Sequence, residues 1–169
     1  MTMSEADDPL AGIDVEGPVL IEVFVLALRD GTVELTGPCG AGPWYIEKAA
    51  GDHPVDVVRR LVVDAIGDPE LVHSTSWRQG DQGVILTFFV VIDRDLIGTM
   101  AAAPVGRVDL ARSGATAAPA AIATGQVLEH AIRHLAWLAR DDAVVRSRLS
   151  AAWHDALAAY IPEPFRNLG

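Results

Sequence analysis

The sequence predicts an α+β domain in which helices pack on the faces of a mixed β-sheet. Three observations carry this. Two strongly apolar segments, "PVLIEVFVLAL" (18–28) and "GVILTFFVVID" (83–93), each adjoin a turn signal and a second strand-like segment. An amphipathic stretch, "DHPVDVVRRLVVDAIGD" (52–68), lies between the two pairs, and two further helical patterns close the chain. Strands this apolar have no wet face, so helices must cover the sheet on both sides.

The elements follow in order. "RDG" is a turn signal after the first strand, and "TVELT" (32–36) alternates like its hairpin partner. "GPCGAGP" interrupts the pattern before a short strand, "WYIEK" (44–48). Asp52 is placed to cap the next helix, Pro54 suits its first turn, and Gly67 can end it. Val57, Val58, Leu61, Val62 and Ala65 recur at helical spacing and form its apolar face. "ELVHSTSWR" (70–78) and segment 83–93 form a second hairpin around "QGDQG". Residues 95–123 are rich in Ala, Gly and Pro, with "GRVDLAR" (106–112) as a short strand. Connections this long are lids or slack chain. A helix is expected over 125–140 and another over 142–161, the latter with a stripe from Val145 through Leu149, Ala152, Trp153, Ala156 and Leu157 to Tyr160. The short link at Asp141 and Asp142 implies antiparallel packing of this C-terminal pair.

Composition narrows the class. A chain of 169 residues, half of them hydrophobic, suits one domain, here 17–169 after a mobile acidic tail over 1–16. A net charge of −10 opposes general nucleic-acid binding. No apolar run reaches the ~18 residues of a membrane span, and the acidic start lacks the pattern of a signal peptide. Cys39 is the single cysteine and reads as a loop residue rather than a nucleophile, since no base is local to it. The expected location is cytoplasmic. The preference for arginine and alanine fits a GC-rich bacterial genome.

The stretch from Trp44 to Trp77 resembles the Nudix hydrolase family in layout. "WYIEKA" (44–49) keeps the loop tryptophan and the aliphatic residue two places on. Asp52 stands eight residues before Arg60, where that family has its first box glutamate, and Arg60 and Gly67 match the box arginine and glycine. The resemblance implies a Nudix-like sandwich with an added C-terminal helical pair. In the family, the metal-binding acids fall at the positions of Leu61, Asp64 and Ala65 here, and the loop Pro-Gly-Gly at those of Glu47, Lys48 and Ala49. Cleavage of a diphosphate by metal-bound water needs several carboxylates on one helical face, and one remains.

The leading functional expectation is therefore a non-catalytic Nudix-like domain that binds a small ligand or a protein partner, with a homodimer as one form. Trp44, Glu47, Arg60, Arg107 and Arg112 are the candidate ligand contacts. Arg94 joins the last two as a cation for an anionic group, unless these arginines pair locally with Asp95 and Asp109. A second reading is an atypical Mg²⁺- or Mn²⁺-dependent hydrolase of nucleotide diphosphates, using Asp52 and Asp64 with Glu47 or Glu70. A third is Zn²⁺ binding by His130 and His134, four apart on one helix, with His154 as a further ligand. The plainer reading of that pair is two histidines at the shoulder of the apolar face beside Trp137, with Glu129 and Arg133 paired on the wet side.

Overall fold

The computed structural model describes residues 18–108 and 122–162. The expected tail over 1–16 lies outside them. The architecture is α+β, with a mixed six-stranded sheet between two helical layers. Strand β1 (Val19–Arg29) is its spine. Asp30 and Gly31, both at positive φ, turn the chain into β2 (Thr32–Thr36). This two-residue connection matches the right-handed twist of the strands. Strand β3 (Trp44–Lys48) returns to pair antiparallel with the first half of β1, while β2 pairs with its second half. On the other side β5 (Gly83–Val91) runs parallel to β1, and β4 (Leu71–Gly80) pairs antiparallel with β5 as an edge. The β4 register shifts between Ser74 and Ser76.

Helix α1 (Pro54–Ala65) and the short α2 (Arg94–Ile97) cover one face. Val57, Val58, Val62 and Ile97 pack there on Ile21, Val23, Val25, Ala27, Phe88 and Val90. Helices α3 (Thr124–Asp141), α4 (Ala143–Arg148) and α5 (Ala151–Leu157) cover the opposite face. Phe24, Leu26, Phe89 and Val91 meet Leu128, Ile132, Leu135 and Trp153 in that core. The alternation of β1 and β5 between the two clusters is the expected consequence of strands buried on both faces.

Several expectations need correction. The helix expected over 142–161 is broken: Leu149 is extended, and the Ser150 side chain accepts the Trp153 amide to start α5 anew. The reason lies in the spacing of the stripe. Residues four apart drift by about 40° around a helix at each step, so a straight helix would carry Leu157 off the face that buries Val145. The break redirects the chain, and Val145, Leu149, Trp153, Leu157 and Tyr160 are all buried while Ala152 is exposed. The Asp142 carboxylate starts α4 by accepting the Val144 and Val145 amides at 2.8 and 3.0 Å. These bonds hold its pKa below the ordinary range.

Secondly, no strand forms over 106–108, and 109–112 lie outside the described residues. A short β6 (Ala102–Pro104) pairs with β2 instead. Arg107 is held by side-chain chemistry. Its guanidinium hydrogen-bonds Glu129 at 3.1 and 3.2 Å, donates to the Ala159 carbonyl and lies 4.1 Å over the Tyr160 ring. Arg133 donates to the same carboxylate at 2.8 Å. Glu129 is 1% exposed, so its pair with Arg133 sits in the core, contrary to the wet position expected. At the start of α3, the Gln126 side chain accepts the Ala123 amide. Alanine offers no acceptor in return, so only half of a capping box forms.

Burial alone would raise the Glu129 carboxyl, but the hydrogen bonds from Arg107 and Arg133 outweigh it and depress the pKa below 4.5. A depressed carboxylate contributes stability that is present above its unfolded pKa and lost as pH falls through the folded one. Glu129→Gln is expected to cost on the order of 2 kcal/mol at pH 7 by urea unfolding. The difference from wild type should shrink below about pH 4.3. An unchanged difference at pH 3 would refute the assignment.

Candidate functional site: the groove between α1 and β4

Of the positions matched to the hydrolase box, Arg60, Leu61, Asp64 and Ala65 lie on α1, with Asp52 just before it and Gly67 just after. Val58 and Val62 face the sheet and Leu61 is half-buried, whereas Asp56, Arg59, Arg60 and Asp64 are exposed. His53, not Asp52, occupies the cap position, and its side chain makes no cap hydrogen bond. Asp52 instead pairs with Arg60 at 3.6 Å, both partly in water. Asp52 precedes α1 and Asp64 lies in its last turn, ten positions after Pro54, about 15 Å along the helix. The two carboxylates suggested for catalysis therefore stand at opposite ends of α1. Glu47 is on β3 and exposed. Glu70 lies at the start of β4, where burial and the charge of Asp93 raise its pKa.

The other suggested ligand contacts are also dispersed. Trp44 packs against the apolar cluster beneath α1, so the core rather than a ligand meets its ring, and its buried indole N–H has no hydrogen-bond partner in the structure. Arg107 belongs to the Glu129 clasp. Arg94 donates to Glu34 at 2.9 Å. Both arginines thus answer glutamates distant in sequence, and Asp109 lies outside the described residues. Arg112 lies outside the described residues.

A different constellation stands beside the start of α1. His53, Pro54 and Val55 form one wall of a groove of about 480 Å³. Leu86 and Phe88 of β5 form its floor, and Ser74 and Trp77 of β4 its outer wall. Trp77 opposes Leu86 in the sheet, on the α1 side, and is 70% exposed. It is the largest apolar side chain on the described surface. Its indole lies over the open groove.

The α3 face holds two polar clusters, one around Glu22, which no sequence motif marked, and one that joins His134 to His73. Glu22, 0% exposed, accepts from Arg78 at 2.7 and 2.9 Å, from Thr87 at 3.2 Å and from the Tyr45 hydroxyl at 2.9 Å. Burial first and the Glu22 charge second raise the pKa of Tyr45. Their signal was a single polar residue inside each apolar strand: Glu22 in "VLIEVFV" and Thr87 in "VILTFFV". A lone polar residue buried in a strand needs a partner. Further along the same face, His73 Nε2 stands 3.2 Å from His134 Nε2, with ring centroids 5.2 Å apart. His134 also meets Trp137, as its position on α3 implied. Burial lowers the pKa of His73, partly offset by the charge of Asp142. His130 is more distant, its ring centroid 6.5 Å from that of His134, and His154 is engaged with the Arg146 carbonyl on another part of the surface.

The chain matches no protein-family model, and no curated protein resembles it significantly. Among the described residues no helix is long and apolar enough to cross a membrane.

The Glu22 network yields a direct expectation. Glu22→Ala leaves Arg78 without its counter-charge in a largely buried position and should destabilise by on the order of 3 kcal/mol. The double variant Glu22→Leu with Arg78→Met, which removes both charges, should recover most of that loss. Denaturant midpoints of the two variants test this, and equal losses would disprove the pairing argument.

Proposed function

We propose that this chain is a binding domain with a Nudix-like layering, and that it takes a small ligand with a planar ring in the groove beside Trp77. The observation that carries the proposal is the exposure of Trp77 over a concave apolar floor. Exposing an indole to water is unfavourable, and a planar ligand would cover its face by stacking. The floor of Leu86 and Phe88 would meet the ligand's other apolar surface, with His53 and Ser74 at the rim for polar groups. Ligand sites commonly have this make-up, an apolar concavity with a few polar groups.

The non-catalytic part of the proposal rests on α1. Its inward side chains are core residues, and its acids do not converge: Asp52 is paired with Arg60 and Asp64 is a helix length away. The helix then serves to hold one wall of the groove. The likeness to Nudix hydrolases is one of layout, supported by the placement of α1 and the C-terminal helices on opposite faces of a mixed sheet.

Adenosine, ADP-ribose, uridine diphosphate glucose and flavin mononucleotide are suitable probes, each in EDTA and with Mg²⁺. At least one is expected to raise the melting temperature in EDTA. Base-on-aromatic stacking contributes ~1–3 kcal/mol, so Trp77→Ala should weaken binding by about tenfold or more while Asp64→Ala leaves it unchanged. Equal affinity in Trp77→Ala would sink the groove assignment. Turnover that needs Mg²⁺ and is lost in Asp64→Ala would return the chain to the hydrolases.

A further inference from the structure

On the opposite face of the sheet, and independent of the groove, the histidine pair offers a second site. We infer that His73 and His134 form an open, exchangeable Zn²⁺ site, with water completing the coordination sphere and His130 as the adjacent donor. His73 comes from the edge strand β4 and His134 from the middle of α3, so the pair bridges sheet and helix. Their Nε2 atoms face one another at 3.2 Å. Two imidazole nitrogens on one tetrahedral Zn²⁺, each about 2.0–2.1 Å from the metal, lie about 3.3–3.4 Å apart. The observed separation is within ~0.2 Å of that value, and it is at the long limit of a direct hydrogen bond. At this distance at least one of the two facing nitrogens presents its lone pair to the other, the atom a metal ion would take.

The surroundings suit a cation. Asp142 is close enough for its charge to act on His73, and Arg133 on α3 donates to the Glu129 carboxylate. His130 stands one turn before His134 on the same helix, the spacing at which two imidazoles reach one ion. Among the described residues no three His, Cys, Asp or Glu side chains already converge tightly enough to form a closed metal cage. Imidazole ligands favour Zn²⁺, Cu²⁺ or Ni²⁺ over the hard cations Mg²⁺ and Ca²⁺. This differs from the helix-only pair of His130 and His134, because the decisive ligand is His73 from the sheet.

Calorimetric titration of the full chain with ZnCl₂, and thermal shift with Zn²⁺ or Mg²⁺ alone, test the inference. One Zn²⁺ is expected to bind per chain. At a hundredfold excess over the dissociation constant it should raise the melting temperature by roughly 5–10 °C, and Mg²⁺ should give no shift. His73→Gln and His134→Gln should each lose the shift, His130→Gln should weaken binding by less, and His154→Gln should retain it. Should His73→Gln fail to fold, His134→Gln and the imidazole resonances of the wild type on Zn²⁺ addition decide the matter: perturbation of the His73 and His134 rings supports the site. Undiminished Zn²⁺ binding in either His73→Gln or His134→Gln overturns it, as does a wild type that binds no Zn²⁺.

Discussion

The fold depends on β1. Its 11 residues place Phe24 and Leu26 on one side and Ile21, Val23, Val25 and Ala27 on the other, all fully buried. A strand with no wet face cannot be an edge or an outer layer. It must have strands on both flanks and cover above and below. β2 and β3 divide one flank between them, and β5 takes the other in parallel. Parallel pairing requires a crossover, and the crossover from β1 to β5 is where α1 is delivered to its face. The helical layers are thus consequences of how apolar one strand is.

The same burial governs the use of charge. Three glutamates, Glu22, Glu34 and Glu129, are buried among the described residues, and each is met by an arginine. Arg78, Arg94 and Arg107 come from β4, α2 and the segment after β6, so the ion pairs tie distant parts of the chain to β1, β2 and α3. Replacing such pairs by apolar residues is often neutral for stability, while breaking one is costly. Their evident effect is on register and placement. The chain has 13 lysines and arginines against 23 acids, and those committed inward are removed from any role with an anionic ligand. That is why Arg94 and Arg107, which looked available in the sequence, are structural.

Much of this was legible because it follows from local pattern. The paired strands, α1 and the presence of C-terminal helices each follow from periodicity and turn residues, and element boundaries differ by only a few positions. The break at Leu149 was harder to read, because the drift of a four-residue stripe matters only once the single face that must bury it is known. The site was harder still. Asp52, Asp64 and Trp44 drew attention through their spacing in a familiar outline. Trp77, His73 and Arg78 draw their meaning from what faces them across the sheet, which one strand's sequence does not contain. Glu22 and Thr87 were readable in principle, as isolated polar residues in apolar runs, but their partners were not.

The register shift in β4 has one consequence for the whole molecule. His73 and Arg78 are five residues apart, so in a regular strand they would point to opposite faces. Yet both must reach the α3 side, one to His134 and the other to Glu22. Thr75, the unpaired residue between Ser74 and Ser76, resets the phase of the strand. It also turns Trp77 to the α1 side together with Ser74. The strand therefore carries two half-strands of opposite parity, each fitted to a different neighbour. Forcing the strand into regular alternation with Thr75 retained would invert everything on one side of it: either the ion pair or the histidine contact would be given up, and with the ion pair the indole would leave its groove.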